Sequence, residues 1–158
     1  MKVKIGRPLG EHQTIEVKID SWDTWDMDTT LSHIIVPMLK QLKETKHGAP
    51  YVDPKDCPSE LMPTSAEKYD VDNTHFERWD WVLDEMIFAF TSKAMDDWYS
   101  QFESGEYDMV SKETGNYFEM VPGPNHTFKI DMEGRKAYAD RMQRGFELFG
   151  KYYQNLWD

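Results

Sequence analysis

The chain has 158 residues and a net charge of −11, with 29 acidic side chains against 18 basic ones. This length predicts a single domain, residues 1–158, that buries a core of its own, and the acidic balance argues against broad nucleic-acid binding, which needs a positive face. The lone cysteine, Cys57, excludes an internal disulfide framework, and no apolar run reaches the roughly 18 residues of a membrane helix.

Two short segments near the N-terminus alternate between apolar and charged side chains. Val3 and Ile5 are interleaved with lysines instead of forming the apolar block of a signal peptide, and the alternation returns over residues 15–20. We predict two half-buried strands here, joined by a loop over residues 6–13.

The first helix is predicted from an apolar stripe with helical spacing. Asp28 is a good N-cap, with Thr29 or Thr30 as alternatives, and Gly48 followed by Pro50 marks the end of the helix. Pro37 lies inside the helix and predicts a kink or a break there. The stripe consists of Leu31, Ile34, Ile35, Met38, Leu39 and Leu42.

The next segment, residues 48–71, contains four prolines and shows no periodicity. A loop of this length inside a compact domain is unusual and is often functional or mobile. The alternative is a strap that lies across the surface and is held by Tyr51, Val52, Leu61 and Tyr69.

A central helix is predicted to begin after Asp72 or Thr74 and to run to about Phe102. It carries two apolar stripes with acidic side chains between them. The first stripe, predicted to lie in the core, contains Phe76, Trp79, Leu83, Met86 and Phe90. The second contains Trp81, Phe88 and Met95, and we expect it to contact the loop, a second subunit or a ligand.

The last third of the chain predicts three short strands and a helix. The strands cover residues 107–110, 117–121 and 127–132, and the helix covers residues 135–156. Gly145 and Gly150 weaken this helix unless they let another backbone approach closely. The predicted fold class is therefore α+β, with about three helices packed on a small antiparallel sheet and a long proline-containing loop, residues 48–71.

Three acidic residues share one face of the central helix, at Glu77, Asp80 and Asp84. Like charges at this spacing repel unless they are neutralised. Our main interpretation is an ion-pair ladder with a basic face of the last helix, formed by Arg141, Arg144 and Lys151. The alternative is a carboxylate site for a divalent cation, although the acids lack the Glu-x-x-His partner of metal-binding helix bundles.

No motif in the chain identifies an enzyme. The five histidines never form His-x-x-x-His, and there is neither a nucleophile elbow nor a phosphate-binding glycine-rich loop. Cys57 has no basic motif beside it that would mark a reactive thiolate. We therefore predict no catalytic residue, no metal site and no cofactor, and we favour a non-enzymatic function.

The remaining candidate is a recognition surface around Trp81. Aromatic planes beside cations hold nucleotides by stacking and by charge. The predicted ligand-binding residues are Trp81, Arg78, Lys43, Lys46, His47, Arg141 and Arg144.

Several long runs of the sequence are distinctive. They read Trp22-Asp23-Thr24-Trp25-x-Met27-Asp28, His33-Ile34-Ile35-x-Pro37-Met38-Leu39-Lys40-Gln41-Leu42-Lys43, Arg78-Trp79-Asp80-Trp81-Val82 and Phe149-Gly150-Lys151-Tyr152-Tyr153. In these runs, and over most of the chain from Ile15 onward, the protein resembles a family of small proteins from tailed phages, in particular marine phages related to the large myoviruses. Members of that family carry a longer N-terminal region, so this chain departs from the pattern between Gly6 and Thr14. The resemblance implies a phage origin and transfers no catalytic residue.

Taken with the resemblance, these features favour a phage-encoded accessory binding protein in the cytoplasm of the infected host. We expect a homo-oligomer that sequesters a small nucleotide-type immune signal or occupies a host protein. Two alternatives stay open, namely a structural or assembly component of the virion and a hydrolase of a nucleotide signal.

Overall fold

The computed structural model describes residues 1–6, 14–64 and 71–157 of the chain. Within these ranges there are three α-helices, which are α1 (Met27–Thr45), α2 (His75–Lys93) and α3 (Met132–Lys151). Six short strands pair into three separate two-stranded antiparallel ladders. The predicted α+β class, with three helices and antiparallel strands, is confirmed.

The first ladder joins β1 (Lys2–Ile5) to β2 (Ile15–Lys18), with Val3 opposite Val17 and Ile5 opposite Ile15. Both predicted strands are therefore confirmed, but they are not half-buried, because every residue in them is exposed. Of the predicted connecting loop, residues 7–13 lie outside the described ranges.

Helix α1 runs without interruption through Pro37, so the predicted break is wrong. A proline removes the hydrogen bond to the carbonyl four residues earlier, here that of His33. Both residues are exposed, so water can satisfy that carbonyl. Asp28 is not the N-cap; it lies in the first turn, and its carboxylate pairs with Lys93 at 2.7 Å.

Helix α2 lies at the centre of the fold and packs against both α1 and α3. Trp79, Val82, Leu83 and Met86 are at most 1% exposed and form the middle of the core. Phe76 was predicted to lie with them, but it is 48% exposed, although His75 and Arg78 in the same turn are buried. The helix ends at Lys93 and not near Phe102, and Trp98 then folds back to stack on Tyr138 of α3, with ring centroids 5.5 Å apart.

Helix α3 begins three residues earlier than predicted because the side chain of Asp131 accepts a hydrogen bond from the Gly134 N–H at 2.9 Å. It packs closely on α2 at Gly145, where a Cβ atom would collide with the carbonyl oxygen of Glu85 and the side chain of Ala89. The predicted close backbone approach is therefore confirmed at Gly145. Gly150 is different, since nothing lies within 4 Å of a Cβ atom built there.

Four strands lie between α2 and α3. A hairpin joins β4 (Met109–Thr114) to β5 (Tyr117–Pro122), and its turn uses Gly115 at a φ of 64°, a left-handed conformation that favours glycine. The strands β3 (Glu103–Ser104) and β6 (Lys129–Ile130) form the third ladder.

The chain from residue 48 to residue 64 forms a strap against the core, which confirms that interpretation for the described part. Val52 is 1% exposed and Cys57 is 7% exposed, and both belong to the same buried cluster as Trp79 and Tyr152. Tyr69 lies outside the described ranges.

Candidate functional site

The acids on the outer face of α2 are neutralised by α1. The Nζ of Lys46 lies 2.6 Å from a carboxylate oxygen of Asp80, and the Nζ of Lys43 lies 2.5 Å from one of Asp84. The predicted ladder exists for these two acids, but its predicted partner is wrong, because the bases come from α1 and not from α3.

Arg141 of α3 instead pairs with Glu85, a residue outside the predicted acidic cluster. Its Nε donates to both carboxylate oxygens at 3.1 Å, and its Nη2 donates to Oε1 at 2.6 Å. The same guanidinium lies 3.8 Å from the ring centroid of Phe88. The hydrogen bonds to Glu85 raise the pKa of Arg141, and this cation has a structural role between α2 and α3.

Arg78 lies inside the fold and not on a ligand surface. Its side chain is 2% exposed and pairs with Asp72, which is 3% exposed, at 3.0 Å. It also donates to the Thr74 hydroxyl at 2.5 Å and to the Leu61 carbonyl at 3.2 Å. Burial alone raises the pKa of Asp72, but the hydrogen bonds from Arg78 and Thr74 outweigh burial and hold that pKa below its usual value.

Trp81 and Arg144 meet at the junction of α2, α3 and the strap. The guanidinium carbon of Arg144 lies 5.2 Å from the Trp81 ring centroid, within the range of a cation–π contact. Its Nη2 donates to the Asp56 backbone carbonyl at 2.6 Å. Arg78 and Arg141 each pair with a carboxylate, whereas the hydrogen-bond acceptor of Arg144 among the described residues is a neutral carbonyl.

Arg144 also lines a cleft of about 250 Å³ between the strap and α3. We call this the anion cleft, and its wall consists of Lys55, Asp56, Arg144, Glu147, Leu148 and Lys151. Lys151 pairs with Asp56 at 2.6 Å, and that hydrogen bond raises the pKa of the lysine. The cleft thus combines three cations with two carboxylates.

Tyr152 fixes the position of Asp56 in the wall of the cleft. Its hydroxyl donates to the Asp56 carboxylate at 2.5 Å and accepts from the Asp53 N–H at 2.9 Å. Burial, followed by the hydrogen bond to Asp56, raises the pKa of this phenol. Tyr152 is a positioning residue that sequence reasoning missed, because its partners lie about 100 residues earlier in the chain.

The seven predicted ligand-binding residues do not form one site. Trp81 and Arg144 come together, and Arg141 lies nearby but is bound to Glu85. Lys43 and Lys46 lie on the opposite, α1 side of α2, Arg78 is buried, and His47 is exposed after the end of α1. Lys151, predicted only as part of the basic face of the last helix, and Lys55 line the cleft instead. Lys55 lies in an aperiodic segment, so it carries no sequence signal for such a position.

A second concave surface lies between α1 and α3 and is almost entirely apolar. Two cavities, of about 590 Å³ and about 410 Å³, share Ile35 and Phe149 and form one groove along α1. Its only charged lining residues among those described are Asp28 and Lys93, which pair with each other. We call this surface the apolar groove. Its walls include Leu31, Ile35, Met38, Leu42, Phe149 and Tyr153.

Neither a metal-binding cluster nor a membrane-spanning helix occurs in the described ranges. There, no group of three or more His, Cys, Asp or Glu side chains is arranged to hold a metal ion. Within the same ranges, no helix has both the length and the apolar character needed to span a bilayer.

Comparison of the chain with protein-family models, curated proteins and solved structures finds no match.

Proposed function

We propose that this chain is a phage-encoded, non-enzymatic binding protein that captures a small nucleotide-type anion in the host cytoplasm. The observation that carries the proposal is Arg144, whose guanidinium faces Trp81 on one side and lines the anion cleft on the other. The phage origin and the location rest on the sequence resemblance.

The chemistry of the cleft suits a phosphorylated ligand with hydroxyl groups. Lys55, Arg144 and Lys151 supply positive charge for a phosphate. Asp56 and Glu147 supply acceptors for ribose hydroxyls and repel a bare multivalent anion. The guanidinium plane of Arg144, which lies over the half-buried Trp81, offers a surface on which a base can stack. The same combination disfavours inorganic phosphate, which lacks both the ribose hydroxyls and the base.

Isothermal titration against cyclic mononucleotides, cyclic dinucleotides and ADP-ribose tests the proposal. We expect one class to bind, and Arg144→Ala to weaken it by at least about tenfold, since a charge-assisted hydrogen bond is worth about 1.5–3 kcal/mol. Lys136→Ala is the matched control, because Lys136 lies on the same helix and pairs only with exposed Asp140 among the described residues. Absence of heat with every ligand would overturn the proposal.

The chemical state of the ligand after incubation distinguishes a protein that captures it from an enzyme that converts it. We expect mass spectrometry to recover it unchanged after long incubation. Conversion that is abolished in folded Asp80→Asn or Asp84→Asn protein would instead favour the hydrolase alternative.

A second candidate is a structural or assembly component of the virion, and the exposed hairpins favour it. Both strands of the β1–β2 ladder are exposed, and the β4–β5 hairpin exposes Phe118 at 74% and Met120 at 59%. Exposed apolar strands are typical of surfaces that bind other proteins. Mass spectrometry of purified phage particles decides this candidate, because absence of the protein from the particle excludes it.

A further inference from the structure

We infer that helix α1 binds the α1 helix of a second copy of this chain, antiparallel and around a two-fold axis, with each helix seated in the other copy's apolar groove. This surface lies apart from the anion cleft. The inference therefore does not depend on the proposed ligand.

The first observation is a row of apolar side chains along α1 that the described chain leaves uncovered. Met27, Leu31 and Met38 are 54%, 40% and 57% exposed, and Ile34 lies in the same row. The spacing between successive members is four, three and four residues, which is the spacing of a helix–helix seam. Contacts with α2 use another row of α1, which includes Ser32 and Leu39.

The second observation is that the apolar groove runs directly beside this row. It extends along α1 from Asp28 to Leu42, a length of about 21 Å at 1.5 Å per residue. The row itself is about 17 Å long by the same measure. Each copy thus carries a ridge and a groove of matching length, the arrangement that a two-fold, self-complementary interface requires.

An uncharged contact face is compatible with a second copy of this acidic chain, and the charges at the two ends of α1 indicate the direction of the pair. A chain of net charge −11 repels itself, so a contact between copies needs an uncharged face. The row and the groove meet this need. Asp26 lies at the start of α1 and Lys40 lies near its end. Asp28 and Lys43 are already paired within the chain, with Lys93 and Asp84. An antiparallel pair sets the acidic end of one helix near the basic end of the other, and the helix dipoles favour the same direction.

The available area is sufficient for a stable dimer. The row, together with Tyr153 of the groove wall at 64% exposure, provides five large apolar side chains. At roughly 100 Å² each they expose on the order of 500 Å². A standard interface buries about 800 Å² per partner and is about 60% apolar, which requires the same amount.

Gly150 provides a separate observation in favour of a second helix in the groove. It lies in the last turns of α3 beside Phe149 and is exposed, with nothing within 4 Å of a Cβ atom built there. A glycine inside a helix costs about 1 kcal/mol relative to alanine, and the described monomer offers no packing reason for it. A second helix in the groove supplies one, because glycine lets its backbone approach closely.

Sedimentation velocity over a range of concentrations tests the inference. We expect the wild type to sediment with twice the monomer mass of 18.7 kDa. Met38→Glu should weaken dimerisation by at least about 100-fold, because it places a charge in an apolar contact. Met120→Glu is the matched control, since Met120 is 59% exposed and lies on the β4–β5 hairpin. A wild type that stays monomeric, or a dimer that Met38→Glu leaves intact, overturns the inference.

Disulfide trapping tests the direction. The two-fold pairing sets residue 27 of one copy opposite residue 38 of the other. Mixed Met27→Cys and Met38→Cys proteins should therefore form a heterodimeric disulfide, while either variant alone should not. Buried Cys57, whose pKa burial raises to about 11, does not compete. Rapid trapping of Met27→Cys with itself would mean a parallel pair and overturn the antiparallel arrangement.

Discussion

Glu85 and Arg141 form a bidentate ion pair across the interface of α2 and α3. The Glu85 side chain is 8% exposed and the Arg141 side chain is 51% exposed, so one partner lies inside the fold and the other reaches in from the surface. Because of this asymmetry, loss of the arginine leaves a buried charge, whereas loss of the carboxylate leaves a cation that water can reach.

Arg141→Met should destabilise the protein by about 1–3 kcal/mol, because it leaves the buried Glu85 carboxylate without its partner. Lys136→Met is the matched control on the same helix and should change the free energy of unfolding by less than about 0.5 kcal/mol, since its pair with Asp140 is exposed. Urea unfolding measures both, and equal effects would contradict the structural role of Arg141.

Gly145→Ala should destabilise the protein by about 1–3 kcal/mol, although alanine is the better helix former. The added methyl group collides with the Glu85 carbonyl and the Ala89 side chain, so α3 must move away from α2. Gly48→Ala is the control, because nothing lies within 4 Å of a Cβ atom there. Thermal unfolding should separate the two variants clearly, and a Gly145→Ala protein as stable as the control would refute the close packing.

The pair between Asp72 and Arg78 should make stability depend on pH in the acidic range. The pKa of Asp72 is lowered in the folded protein. The stabilisation is therefore fully present above the unfolded value of about 3.9 and is lost as the pH falls through the lower folded value. Unfolding at a series of pH values should show the advantage of the wild type over Asp72→Asn shrinking below about pH 4. Asp140→Asn should follow the wild-type curve.

Tyr152→Phe should loosen the strap. The variant loses the hydrogen bonds to Asp56 and Asp53, which together are worth about 1–3 kcal/mol. Cys57 lies in the strap and reports the change, because burial raises its thiol pKa to about 11 and keeps it slow to react.

Reaction with a chromogenic disulfide at pH 8 provides the measurement. We expect slow modification of the native wild type, full modification in urea, and a rate at least about tenfold higher in Tyr152→Phe. Tyr117→Phe, at an exposed position of the β4–β5 hairpin, should behave as the wild type does. Fast labelling of the wild type would show that the strap is not held as described.

The local residue patterns predicted where helices occur better than they predicted where the helices end or which elements they pack against. The i, i+3, i+4 stripe of α1 and the core row of α2 were sufficient to predict two helices. They did not predict which members of each row are buried, since Leu31, Met38 and Phe76 are exposed. The end of α2 was predicted wrongly, since nothing in residues 94–102 signals that Trp98 turns back onto Tyr138. That stacking depends on a residue about 40 positions away.

The candidate site shows the same division more sharply. The sequence indicated cations and an aromatic ring on helical faces, and Trp81 with Arg144 does come together. It did not indicate that Arg78 is buried or that Lys43 and Lys46 serve the acids of α2. A charged side chain does not encode in the sequence which residue it will pair with. Its partner depends on which helix packs beside it in the folded protein.

The sequence by itself determined that this protein is α+β, acidic and built around a central helix that begins after Asp72 or Thr74, because residue spacing and composition indicate where amphipathic segments occur. Only the tertiary structure decided which cations remain for a ligand and which apolar row stays uncovered. Both depend on how α1 and α3 are placed about α2. That placement results from close contacts such as the one at Gly145, between residues far apart in the chain.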